Sequence, residues 1–203
     1  MSNCGCEPTA AETREQRNVL KIALALNASM FVAEGTAGLL ANSSGLIADG
    51  LDMLADASAY AIGLAAVSRG ATFKANAATL SGGLLLVLGV GVLIDVVRRT
   101  ISGEPPDGYV IIAVAAVALA VNTVVLKLLS KHKDKGVHLR ATWIFTRADV
   151  VANIAVILSG IVVLLSGFRH VDLVVGAGIG LYVIKEAVEI LREARGAKQA
   201  ASD

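Results

Sequence analysis

The sequence predicts an all-α, polytopic membrane protein with six transmembrane helices and both termini in the cytoplasm. Three observations carry that reading. Hydrophobic residues make up 55% of the 203-residue chain against 17% charged, and the mean hydropathy is +0.69, values of the membrane class. The apolar residues fall in six runs, most with the ~20 residues that a helix needs to cross the hydrocarbon core. Lys and Arg collect on alternate connections, the pattern of the positive-inside rule.

In chain order, residues 1–18 form a flexible polar head of mixed charge that begins with Cys4-Gly5-Cys6-Glu7. The head lacks the basic-then-apolar pattern of a cleavable signal peptide, so the first span is expected to stay in the mature protein. Apolar runs follow at about residues 19–41, 45–68, 75–97, 109–129, 139–166 and 171–190. Residues 19–192 therefore form one six-span unit, and residues 193–203 a short polar tail. The fifth run is long and polar enough to start in the interface. Between the third and fourth, Gly103, Glu104, Pro105, Pro106, Asp107 and Gly108 break helical continuity and mark an acidic external turn.

Arg14, Arg17 and Lys21 flank the start of the first span, Arg69 and Lys74 the second connection, and Lys127, Lys131, Lys133, Lys135 and Arg140 the fourth. Lys185, Arg192, Arg195 and Lys198 close the sixth span, while the opposite side holds Arg98, Arg99 and Arg169, with Arg147 inside span five. A formal net charge of +1 gives no support for nucleic-acid binding or a polyacidic substrate. Cys4 and Cys6, one residue apart, suggest no disulfide framework and fit a reduced compartment.

The second span carries the residues that need a reason. At about 100° per residue, Asp49, Asp52 and Asp56 fall within an arc of about 60° on one helical face. An ionised side chain in hydrocarbon costs several kcal/mol, so such acids face a bundle interior or cavity and suggest a functional site. Interhelical hydrogen bonds would explain one aspartate; three on one face favour a cation site. Span five offers a second polar face, with Thr142, Thr146, Asp149 and Asn153 inside an arc of about 100° that includes Phe145. A divalent cation between the two spans would be held by Asp52, Asp56 and Asp149, with Asn153, Asp49 or water completing an oxygen shell suited to hard or borderline cations.

Other polar positions read more plainly. Asn27 and Glu34, seven apart, share a face of span one, where Asn27 suits a helix contact and Glu34 a cavity wall. Asp95 is spaced for local ion pairs with Arg98 and Arg99, and Arg147 for snorkelling or pairing with an acid. Asn122 receives no ligand role. Gly176-x-x-x-Gly180 in span six, and Gly82, Gly83, Gly89 and Gly91 in span three, permit close helix approach without selecting a dimer interface. Cys4, Cys6 and Glu7 could hold a thiophilic cation as an accessory capture site but are too few ligands for a structural zinc site, with a flexible, non-binding head as the equal alternative, and His132 and His138 are expected in solvent.

Taken together, Asn27 with Glu34, the stretch from Ser44 to Asp56 that contains Asp49, Asp52 and Asp56, Asn122, and the stretch from Arg140 to Asn153 resemble the cation diffusion facilitator family of divalent-metal transporters over the six-span core. The resemblance implies one ligand pair from span two, matched by Asp52 and Asp56, and a second pair from span five. Asp149 matches that second acid, while Phe145 stands where its partner is usual. The family typically continues into a cytoplasmic metal-binding, dimerising domain; this chain is expected to be a short form without it, so that a homodimer would form through its spans. By resemblance the expected activity is efflux of a divalent cation, zinc first, with cadmium, cobalt, manganese and iron as alternatives. It would run as metal/proton antiport by alternating access across a bacterial inner membrane, with no resident cofactor.

Without metal, repulsion and desolvation favour a proton among Asp52, Asp56 and Asp149, which a metal would displace. A non-transporting membrane metal-binding regulator or chaperone is the alternative reading. An exporter of organic cations would be expected to line its cavity with aromatic residues, which are 4% of this chain.

Overall fold

The computed structural model describes residues 10–65, 71–102, 105–131 and 137–200. Cys4, Cys6, Arg69, Glu104, His132, Lys133 and Lys135 lie outside the described residues, as do the side chains of Lys74, His138, Arg140, Thr142 and Phe145. Six helices account for nearly all of the described chain: α1 (Ala10–Leu40), α2 (Ser44–Ala65), α3 (Ala71–Ser102), α4 (Gly108–Ser130), α5 (Val137–Ser166) and α6 (His170–Ala200). Each expected span lies largely within one of them, and α1, α3 and α6 run past the apolar stretch by a turn or more.

Segments within four helices are apolar enough over a sufficient length to cross a membrane by composition alone: Arg17–Leu40, Ala75–Ile101, Gly108–Ser130 and Thr146–Ser166. The other two, α2 and α6, hold the acids Asp49, Asp52 and Asp56, and Asp172, Glu186 and Glu189 respectively. The burial pattern explains how they are accommodated. Leu80, Leu84, Val87, Ile94 and Ile101 of α3 face outward, while Glu34, Asp49, Asn122, Thr146 and Asn153 are fully buried. Apolar surface outside with polar groups inside is the arrangement of a protein whose solvent is lipid. The chain is an integral membrane protein.

The described turns that lead into α2 and α4 are hydrogen-bonded. The chain leaves α1 through Asn42 with φ 53, and Ser43 N–H bonds back to Gly38 C=O at 2.9 Å, the Schellman closure of a helix C-terminus. Ser43 then caps α2, its Oγ accepting from Leu46 N–H at 3.1 Å. Asp107, next to the Pro-Pro break, caps α4 by accepting from Tyr109 and Val110 N–H. Its own N–H donates to Ala41 C=O at 2.9 Å, tying the α3–α4 turn to the α1–α2 turn.

The principal pairings are α1 with α2, α4 with α5, and α3 with α6, with α2 also packed on α6. A core of Leu46, Leu51, Leu85, Val92, Ile111, Val156 and Val183 joins them. The small residues of α6 are used inside the chain: a Cβ on Gly176 would come within 2.6 Å of the Ser44 carbonyl carbon, and one on Gly180 within 3.3 Å of Val92. Gly82 and Gly89 give α3 the same closeness to α6, whereas Gly83 and Gly91 meet nothing within 4 Å. Gly176-x-x-x-Gly180 therefore packs α6 on α2 and α3 of its own chain.

Candidate metal-binding site

The crossing of α1 and α2 sets the first part of the site. A Cβ on Gly50 would stand 3.1 Å from Gly35 N and 3.3 Å from Glu34 Cβ, so the missing side chain lets the helices close up. Glu34 is thereby brought within hydrogen-bonding reach of Asp49. About one and two turns further along α2, Asp52 and Asp56 both lie within hydrogen-bonding reach of Asp149 of α5. Asp52 and Asp149 are each 4% exposed, and Asp56 is half-buried. Tyr60 OH donates to Asp56 Oδ2 at 2.9 Å and lies 3.3 Å from Thr146 Oγ1, which orients one oxygen of Asp56. Asp149 Oδ2 is buried without a hydrogen-bond partner.

The five predicted site residues thus divide into two groups. Asp52, Asp56 and Asp149 meet at the α2–α5 contact. Asn153 instead donates from Nδ2 to Asp49 Oδ2 at 2.7 Å and accepts from Asn122 Nδ2 at 3.0 Å. Asn122, assigned no ligand role from the sequence, is the far end of that chain. Among the described residues no three His, Cys, Asp or Glu side chains form a closed metal cage in this conformation. Asp149 is the residue through which Asp52 and Asp56 are linked. The side chain of Phe145, at the fourth position of the resemblance, lies outside the described residues.

Other polar residues fall close to their expected roles. Asn27 is fully buried and donates to Ala23 C=O at 2.9 Å, a local bond within α1. Arg98 and Arg99 both pair with Asp95, the first at 3.0 Å. Arg147 rests over the Trp143 ring, 5.1 Å from its centroid, a cation–π contact.

Two acids of α6 escaped the sequence reading. Asp172 is fully buried and accepts from Ser43 Oγ at 2.6 Å, Ser44 N–H at 2.8 Å and Gly45 N–H at 3.3 Å. It caps α2 from another helix, where a negative charge suits the exposed N–H groups. Glu186, within hydrogen-bonding reach of Tyr182, faces Asp52 and Asp56 electrostatically. Asp56, Ala59, Glu186, Glu189 and Glu193 line part of a cavity of about 330 Å³ between α2 and α6. The spacing of Glu186, Glu189 and Glu193 by three and four residues was the available signal for this acidic face.

The comparisons with known proteins agree with this architecture. The chain is 27% identical over 185 residues to the metal cation efflux system protein CzcD of Cupriavidus metallidurans, a match that covers 85% of this chain and 58% of that protein. It is 27% identical over 188 residues to the zinc transporter ZitB of Pectobacterium atrosepticum, covering 86% and 58%. A ZitB zinc transporter of Yersinia pseudotuberculosis matches at 25% identity over 187 residues, covering 86% and 60%. The chain thus spans about six tenths of the length of these bacterial relatives. The family described as the cation efflux transmembrane domain matches residues 20–196, from the third turn of α1 through most of α6, and the chain belongs to that family.

Proposed function

We propose that this chain moves a divalent metal cation out of the cytosol, with zinc as the leading substrate. The observation that carries the reading is the meeting of Asp149 with Asp52 and Asp56, three carboxylates from two helices inside the bundle. Uncompensated, they are costly in a low-dielectric interior; a divalent cation offsets their charge and takes all-oxygen ligands readily. Zinc accepts carboxylate oxygens as well as nitrogen and sulfur, and the zinc transporters among the relatives add support. Cadmium, cobalt, manganese and iron are the alternatives.

The residues divide the work. Asp52, Asp56 and Asp149 hold the cation, with water filling the remaining positions. Tyr60 fixes the orientation of Asp56 through its hydroxyl, as outer-shell partners do for metal ligands. The cavity beside Asp56, rimmed by Glu186, Glu189 and Glu193, gives a hydrated cation an acidic approach from the side where α6 ends. By the distribution of Lys and Arg that side is the cytoplasm. Motion of α3 and α6 against the other four helices would expose the acids to either side in turn, the alternating-access scheme, with protons moving the other way. A homodimer would use surfaces of the bundle other than Gly176 and Gly180.

The test is flux into proteoliposomes of known protein orientation, comparing Zn²⁺, Cd²⁺, Co²⁺ and Mn²⁺ with and without a proton gradient at clamped potential. Gradient-dependent flux that disappears in Asp52→Ala is expected. Saturable binding without flux would replace the transporter with a membrane metal-binding regulator or chaperone.

A further inference from the structure

The outer face of the α3–α6 pair carries a groove that no acid of the metal site lines. Its cavity measures about 570 Å³, and its wall on α3 is apolar, formed by Leu80, Leu84 and Val87 around Gly83. Those three side chains are exposed. A Cβ on Gly83 would meet nothing within 4 Å, whereas one on the neighbouring Gly82 would come within 3.0 Å of Leu191 of α6. Gly82 thus lets the two helices close up, and Gly83 leaves the groove hollow at its middle.

The polar groups gather at one end. Lys198 of α6 and Asn76 of α3 line the groove there, while the Thr79 hydroxyl beside them is spent on Ala75 C=O at 2.7 Å. Lys198 is half-buried and forms no ion pair among the described residues. Asn76 stands at the start of the apolar stretch of α3, Ala75–Ile101, the level of the lipid headgroups. By the distribution of Lys and Arg this end of the bundle is cytoplasmic, and Arg192 and Arg195, both exposed, add positive charge to it.

Length and shape select the occupant. From Asn76 to Val87 the groove rises about 16 Å along α3 at ~1.5 Å per residue, about half of the ~30 Å hydrocarbon core. It is one leaflet deep. The exposed stripe of α3 goes on through Ile94 and Ile101, but neither lines the cavity. A helix of a second copy would follow the whole stripe and cover the Lys198 ammonium with protein. A phospholipid spans one leaflet and brings an anionic phosphate to the interface, where basic side chains attract it.

We propose that the groove between α3 and α6 seats one anionic phospholipid of the cytoplasmic leaflet, its phosphate at Lys198 and Asn76 and an acyl chain along Leu80, Gly83, Leu84 and Val87. The lipid bridges the two helices and so stabilises their pairing. The site needs no transported metal.

The test uses the purified full chain, delipidated in a neutral detergent and titrated with phosphatidylglycerol or phosphatidylcholine. Bound lipid is counted by native mass spectrometry, and thermal unfolding is followed in parallel, since a ligand of the folded state raises the unfolding temperature. Saturable binding of one phosphatidylglycerol per chain is expected, with a preference of about five-fold over phosphatidylcholine, the factor that one interfacial Lys supplies. Lys198→Gln is expected to abolish that preference and Arg192→Gln to keep it. Gly83→Leu fills the groove and is expected to weaken phosphatidylglycerol binding by about ten-fold, as burying about two fewer methylenes would, with zinc binding unchanged.

Equal affinity for the two lipids would overturn the proposal. An equal loss of preference in Lys198→Gln and Arg192→Gln would do the same, by reducing the contact to general attraction at a basic surface. Lipid binding that survives Gly83→Leu would remove the acyl chain from the groove, and a change there in dimer mass alone would give the groove to a second copy; either result contradicts the assignment. Val87→Trp is judged by the same readouts should Gly83→Leu fail to fold.

Discussion

Asn153 Nδ2 lies 2.7 Å from Asp49 Oδ2, so the amide that the sequence offers to a metal is spent holding a neighbouring acid. With Asn122 behind it at 3.0 Å, Asn153 links α2, α4 and α5 through a fully buried polar contact. Replacing it with Leu strands Asp49 Oδ2 and the Asn122 amide together. A loss of about 1–3 kcal/mol is expected, the cost of leaving buried polar groups unpaired, read as a lower unfolding temperature in detergent. An unchanged unfolding temperature would show that the linkage carries no stability.

Asp172 is expected to act on the fold and leave the chemistry alone. Asp172→Ala removes three contacts at the start of α2, and capping losses of this kind amount to about 1–2 kcal/mol. The expected result is reduced thermal stability with zinc affinity unchanged. A loss of affinity at unaltered stability would place Asp172 in the transport path.

Tyr60→Phe separates orientation from ligation. Its hydroxyl contacts Asp56 at 2.9 Å and is not itself placed on the metal. Loss of an outer-shell partner typically costs about 10–100-fold in metal affinity, and an isothermal titration should find a drop in that range, smaller than the complete loss expected for Asp52→Ala. An affinity equal to the wild type would mean that Asp56 needs no such support.

Much of this was legible in the chain itself. The six apolar runs, the one-faced spacing of Asp49, Asp52 and Asp56, and the matching face at Asp149 follow from helical periodicity, which a single sequence displays. The division of labour between the two acid groups was not legible, because it depends on which helices touch. Asp49 turns to Glu34 only because Gly50 lets α1 approach, and Asn153 turns to Asn122 because α4 packs on α5. Asp172 was missed for the same reason: its partners Ser43, Ser44 and Gly45 lie more than a hundred residues away. Glu186 was overlooked because it follows Lys185 and precedes Glu189 near the end of the sixth apolar run, where an acid reads as locally paired or solvated. Arg147 pairs with an aromatic ring four residues earlier, a contact the spacing allowed but acid-pair reasoning passed over.

Binding should also follow pH with a definite sign. Carboxylate ligands hold metal when deprotonated, so protons compete with zinc at Asp52, Asp56 and Asp149. Lowering the pH from about 8 to about 5.5 is expected to weaken zinc binding, with a limit of about ten-fold per pH unit for each proton displaced. Titrations in buffers of different ionisation enthalpy would count the protons released. Binding that is flat over this range, with no proton release, would remove the acids from the metal shell.

X-ray absorption at the zinc edge, on the purified full chain loaded with one equivalent of Zn²⁺, addresses the identity of the site itself. A first shell of oxygen neighbours without sulfur is expected, together with loss of the bound ion in Asp52→Ala. A shell containing sulfur that survives Asp52→Ala would place the metal at Cys4 and Cys6 and contradict the assignment of Asp52, Asp56 and Asp149.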